Sequence, residues 1–220
     1  MAINLFRKFT VGRVVRMFIL SDLALLSGWG LVGPIFAVFI LERIEGATII
    51  VIGASAAVYW ITKAIVQLPI ASFLDSTPSE KDDFAVLVLG LILVGFSALG
   101  FIFIDQVWQL YLVQFIHSIA FAMYTPAWSG IFSRHLDKHH EAMEWSMDNA
   151  GISLATGVTG LLGALLATWL GFNIIFIACS FLSFAAAAIT FSVPRVVFPH
   201  RIHKPGFNIR NHKPIASSHE

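Results

Sequence analysis

Long stretches of the chain carry no Asp, Glu, Lys or Arg: 23–41, 46–62, 64–74, 84–104, 106–133 and 149–194. A helix needs about 20 apolar residues, at about 1.5 Å each, to cross a hydrocarbon core. The second and third stretches are separated by Lys63 alone and read as one span. The last is too long for one crossing, and WLGFN at 169–173 interrupts it with a Gly and an Asn. The pattern therefore predicts six spans, at about 14–41, 47–74, 84–104, 109–133, 144–168 and 172–193. Membrane strands alternate polar and apolar positions, whereas 84–104 is apolar on every face. Lipid satisfies no backbone group, so such a run must be helical. The expected fold class is an all-α membrane protein.

Composition agrees. Of 220 residues, 57% are hydrophobic and 12% charged, against about a quarter charged in a soluble domain. Six spans put both termini on one side, and twelve of the fourteen Lys and Arg fall there. Arg43 is the exception on the far side, and Lys63 lies within the membrane. This bias predicts cytoplasmic termini in a plasma or inner cell membrane. Arg7, Lys8, Arg13 and Arg16 resemble the start of a signal peptide. Asp22 and an apolar run reaching Leu41 do not fit one, so the first helix should be retained. Residues 1–13 read as a cytoplasmic segment, and 195–220 as a basic cytoplasmic tail without fixed structure.

The polar exceptions are unevenly shared. Asp22 lies in span one, Lys63 and Gln67 in span two, Gln114 and His117 in span four, and Asp148 with Asn149 at the start of span five. Ionisable groups within a membrane usually face a bundle interior or a wet cavity. Spans three and six are bland, so they are expected to tolerate lipid on most faces. The order polar, polar, bland, repeated once, is a three-plus-three pattern. Lys63 sits too deep for its stem to reach water by snorkelling. A wet cavity, a carboxylate partner or loss of its proton must answer its charge, and Asp22 is the better partner on an adjacent helix. His117 is the imidazole placed within the hydrocarbon, suited either to proton transfer or to a bond between helices. Trp29, Tyr124 and Trp128 are candidate substrate contacts, or else fill the bundle. Gly157, Gly160 and Gly163 in span five suit close helix packing, within the bundle or against a partner.

Other chemistries find little support. There is no G-x-x-x-x-G-K-S/T phosphate loop and no H-E-x-x-H. No cofactor is implied. The pairs His135/His139 and His200/His203 lack a second pair at metal-binding spacing, and 134–145 reads as a solvated connecting helix of mixed charge. Cys179 reads as a small buried apolar residue. The basic residues follow membrane topology and give no reason to expect nucleic acid.

The polar-polar-bland repeat, Asp75 at the end of span two, the positive loop after span four and the glycine-rich span five together resemble one six-helix half of the major facilitator superfamily, over about residues 14–194. The loop after helix two in that family carries G-x-x-x-D-x-x-G-R-R/K. Here it reads ASFLDSTPSEK, 71–81. Asp75 matches, Ala71 and Pro78 replace the glycines, Ser79 and Glu80 replace the basic pair, and Lys81 is a displaced remnant at best. Gln114 and Ser118 stand where the family's helix four often has R-x-x-x-G. The helix-five proline of antiporters is missing after Gly157, Gly160 and Gly163. The resemblance implies a six-helix bundle of three-plus-three inverted repeats, and for Asp75 a role in latching helix ends. It also implies a secondary transporter of a small solute, with a second copy or a separate six-helix half as partner. Proton coupling through Asp22, Lys63 and His117 is an expectation from these ionisable residues within the spans, not from the resemblance. Two same-sense copies can mimic the full transporter because the family's halves are parallel repeats. A non-transporting scaffold or a truncated transporter half remains the alternative reading.

Overall fold

The computed structural model describes residues 12–77 and 79–193. The expectations for Arg7, Lys8, Pro78, the tail and the His200/His203 pair lie outside the described residues. Among the described residues there are helices and no strand. Helix α1 (Arg13–Val32) runs through a 3-10 turn (Gly33–Ile35) into α2 (Phe36–Arg43). Then follow α3 (Ile49–Ser76), α4 (Glu80–Gly100) with a terminal 3-10 turn (Phe101–Phe103), α5 (Val107–His135), α6 (Glu141–Leu170) and α7 (Phe172–Phe191). Six units are long and apolar enough to cross a membrane: Arg13–Arg43, Ile49–Ser76, Glu80–Phe103, Val107–His135, Glu141–Leu170 and Phe172–Phe191.

Local chemistry sets the breaks. Pro34 has no N–H and its ring crowds the carbonyl four residues back, which interrupts span one at the 3-10 turn. Pro69 and Pro126 sit inside α3 and α5 without ending them. Gly171, at φ +79°, takes the left-handed turn that separates spans five and six. Between α5 and α6 the structure corrects one expectation. The segment 134–145 is not a connecting helix: α5 ends at His135, a tight turn places the His140 N–H on the Asp137 carbonyl at 3.0 Å, and α6 starts at Glu141. His139 adopts a left-handed φ of 75° there, which a continuing helix excludes.

The main packing contacts run α3 on α5, α5 on α4, α4 on α7, α7 on α1, and α1 on α6. By span number the order is two, four, three, six, one, five. Exchanging one with four, two with five and three with six returns the same order reversed, which is the symmetry a three-plus-three repeat requires. Spans three and six hold the middle of this run, and 44% of each apolar window is buried. Spans two and five stand at its ends with 6% buried. The bland helices are thus no more lipid-exposed than spans one and four, contrary to the expectation from their composition. Lack of polar atoms says what a helix tolerates, not what covers it. Large apolar side chains stand exposed along spans two and five, among them Ile61, Ile65 and Leu68 on α3, and Leu154, Val158 and Leu161 on α6.

Small residues bring α1 and α6 together. A Cβ added at Gly163 would fall on the Leu31 carbonyl, one at Gly160 would meet Pro34 Cγ at 3.2 Å, and one at Gly30 would run into Thr159. Gly157 has open space around it. Lipid gives helices no hydrophobic drive to associate, so close backbone contact must hold this pair. Gly163→Val should separate them at a cost of about 1–3 kcal/mol or more, because backbone cannot yield as a side chain does. Gly157→Val should cost far less. Thermal melting of the two variants in mild detergent checks this, and equal midpoints would refute the seam.

Candidate functional site

A cavity of about 510 Å³ opens between spans one, two and four. Its wall includes Trp29, Tyr59, Trp60, Gln114, His117 and Phe121. The depth follows from helix geometry. Tyr59 and Trp60 sit one turn from Lys63, which is roughly 20 Å from either end of α3. The cavity therefore lies near mid-membrane.

Lys63 Nζ stands 5.5 Å from the Trp60 ring centroid and 5.7 Å from that of Phe121. Both rings belong to the cavity wall, whereas Lys63 does not, so the ammonium is at its rim, on the side where α3 ends. The expected pair with Asp22 is not formed: among the described residues, the ion pairs within 4.0 Å both belong to Arg134. Asp22 instead accepts a hydrogen bond from the Tyr124 hydroxyl. The reason is partly height. Counted from the start of α1 and the end of α3, Lys63 lies about 6 Å deeper than Asp22. A phenol on the neighbouring α5 is at the right level and takes the carboxylate.

His117 is buried, and its Nδ1 lies 2.8 Å from Ser97 Oγ. The serine hydroxyl donates to the Val94 carbonyl at 2.7 Å. With that hydrogen used, Ser97 accepts from Nδ1–H, and Nε2 is left as the acceptor towards the cavity. The imidazole is fixed between Trp29, at a centroid distance of 4.0 Å, and Tyr59, at 5.3 Å. Gln114, one turn earlier on α5, presents its amide to the same wall. Gln67 is half-buried one turn beyond Lys63 and does not line the cavity.

Of the three aromatic candidates, Trp29 reaches the cavity. Tyr124 and Trp128 are built into the core instead. Trp128 stacks on Phe132 at 4.5 Å and meets Trp145 edge-on at 5.8 Å. Asp148 is 2% exposed near the start of span five, with its Oδ1 buried and without a hydrogen-bond partner. Asp22, Tyr124 and Asp148 lie within charge–charge range of one another. Two carboxyl groups thus share a buried region whose named partner is a phenol rather than a cation. A buried carboxylate is costly unless a proton or a cation accompanies it, so this cluster is suited to binding one.

A second crevice, of about 270 Å³, opens between spans two, three and four, where α3 ends and α4 begins. Asp75, Asp83 and Arg134 line it. Arg134 Nε bonds Glu80 at 2.7 Å, and its Nη2 bonds Asp83. The cation facing Asp75 comes from the end of span four, whereas Lys81 is exposed and outside the crevice.

Sequence reasoning missed Ser97, Tyr59, Arg134 and Glu144. Glu144 is fully buried and accepts from the Asp137 N–H at 2.9 Å, tying the turn to α6. It also missed the link of Ser21 to Thr190 at 2.8 Å and to the Ala186 carbonyl at 3.1 Å, which joins spans one and six. The signal available for Ser97 was its isolation as the polar side chain of span three.

A family model described as Major Facilitator Superfamily matches residues 18–217. Among solved structures, one described as "In meso crystal structure of the POT family transporter PepTSo" aligns with a TM-score of 0.66 at 16% identity. The alignment covers 91% of this chain and 40% of the solved one, so the present chain spans about two-fifths of that transporter's length. At this identity the likeness concerns the fold. No curated protein matches the chain.

Proposed function

The chain belongs to the major facilitator superfamily, and from that premise we propose that it is one six-helix half of a secondary transporter. It moves a small solute by alternating access, with both termini in the cytoplasm, and it works with a second copy of itself or a separate six-helix half. The observation that carries this reading is the mid-depth cavity between spans one, two and four, in a bundle that leaves α3 and α6 largely uncovered. Sites near the midplane at the interface of two halves are where such transporters hold solute. The three-plus-three contact order and the 40% coverage of the solved transporter support a half-unit. The Asp22–Tyr124–Asp148 cluster supports proton coupling, with Lys63 and His117 on the solute side. Asp75 lies in the cytoplasmic crevice and is proposed to latch helix ends there.

Native mass spectrometry from nanodiscs tests the pairing. A particle of two chains, or of this chain with a second membrane protein, is expected. A stable single-chain particle would reject pairing. The eroded loop after span two then favours a non-transporting scaffold, which would show no solute exchange in proteoliposomes.

A further inference from the structure

The cavity wall is specific enough to name a class of solute, an inference that rests on the transport reading above. We infer that the mid-membrane cavity binds a small planar organic monoanion, an aromatic or heteroaromatic carboxylate in chemical type. Three independent features of the wall converge on this.

The first is the charge. Lys63 Nζ is held over two rings of the wall and has no carboxylate within 4.0 Å among the described residues. A cation–π contact offsets only part of the cost of a desolvated ion, so an anion at the rim is the complement the ammonium lacks.

The second is shape. Trp29, His117 and Tyr59 form a stack of rings, with Phe121 set edge-on to His117 at 4.9 Å. Flat faces and edges of this kind accept another ring by offset or edge contact. The volume, about 510 Å³, lies within the range of ordinary small-molecule sites.

The third is the kind of polar atom on offer. Trp29 Nε1 is buried and lacks an acceptor. Gln114 supplies an amide and His117 an Nε2 acceptor for one hydroxyl or ring N–H. No Asp or Glu lines the cavity. Asp22, one turn before Leu26 on span one, is engaged by Tyr124 in the core. Lys63 at the rim can therefore neutralise a carboxylate, and no residue of the wall can neutralise an amine. This separates a monoanion from an amino-acid zwitterion, a peptide or an organic cation.

Binding to the full chain in nanodiscs tests the class without requiring transport, with Trp29 and Trp60 as intrinsic fluorescent reporters. The probes are benzoate, indole-3-acetate, benzamide, benzylamine and phenylalanine. Benzoate and indole-3-acetate should bind about tenfold or more tighter than benzamide, the margin expected of one charge-assisted bond. Benzylamine and phenylalanine should bind more weakly still. Lys63→Gln should bring benzoate down to the affinity of benzamide, and Lys63→Arg should keep the preference. Retained preference in Lys63→Gln, tighter binding of benzylamine or phenylalanine, or no binding of any probe would overturn the assignment. Counterflow of labelled benzoate in proteoliposomes is read separately. Anion binding without counterflow would reject transport while upholding the class, and counterflow of another solute without anion binding would do the reverse.

Discussion

Alanine in place of Arg134 is expected to destabilise the protein by about 3 kcal/mol or more, the scale of removing one partner from a buried ion pair. Glu80 and Asp83 keep their positions in the first turn of α4, where the helix dipole favours acids. They are also covered, with side-chain exposures of 8% and 2%. Without the guanidinium, two carboxylates are left side by side in a covered site. Arg134→Lys should recover a small part of the loss, because an ammonium cannot reproduce the two divergent bonds from Nε and Nη2. Arg134→Ala combined with Asp83→Asn should recover more, since it removes one of the two neighbouring carboxylates that Arg134 bridges. Melting in detergent should place the midpoint of Arg134→Ala about 6–12 °C below the parent. An unchanged midpoint would show that the crevice is too wet for this argument.

Arg134 also marks the limit of what the sequence made legible. The six spans follow from the charge-free runs, because the membrane demands length and apolarity and nothing subtler. The close seam at Gly160 and Gly163 follows from residue type, whereas the break at Pro34 was not readable from it, since Pro69 and Pro126 sit inside helices that continue. Membership of the bundle-facing set was readable for Lys63, His117 and Asp22, since burial of ionisable groups within lipid needs a reason. Their partners were not readable. Asp22 bonds Tyr124, 102 positions away, and His117 bonds Ser97 across a loop. Those choices depend on relative height and rotation of packed helices, and periodicity cannot fix either when nearly every position is apolar. The same blindness hid the environment of spans three and six. In water an apolar helix advertises burial, but in lipid it advertises nothing, and only the packing shows that α3 and α6 are the uncovered pair.

The Asp22–Tyr124 contact makes a second strong prediction, which joins stability to coupling. Tyr124→Phe removes the hydroxyl that donates to Asp22 and leaves the carboxylate buried at 4% exposure without that donor. A loss of about 1.5–3 kcal/mol is expected, the range for a hydrogen bond to a charged group. Asp22→Asn should cost less, because an amide oxygen still accepts from the phenol. Asp22→Asn with Tyr124→Phe should cost less than the two single losses together, since removal of the charge removes what the phenol was satisfying. If the two groups contribute additively, the contact is not a functional unit. Coupling is read in proteoliposomes. Should this cluster carry the transported proton, Asp22→Asn abolishes uptake driven by a pH gradient yet preserves exchange of solute against solute, because exchange needs the cavity and the helix motion but no net proton movement. Asp148→Asn should act in the same direction, since Asp148 lies within charge range of both Asp22 and Tyr124. Gradient-driven uptake surviving in both variants would remove the cluster from the coupling path and leave His117, beside the solute cavity, to be tested in its place.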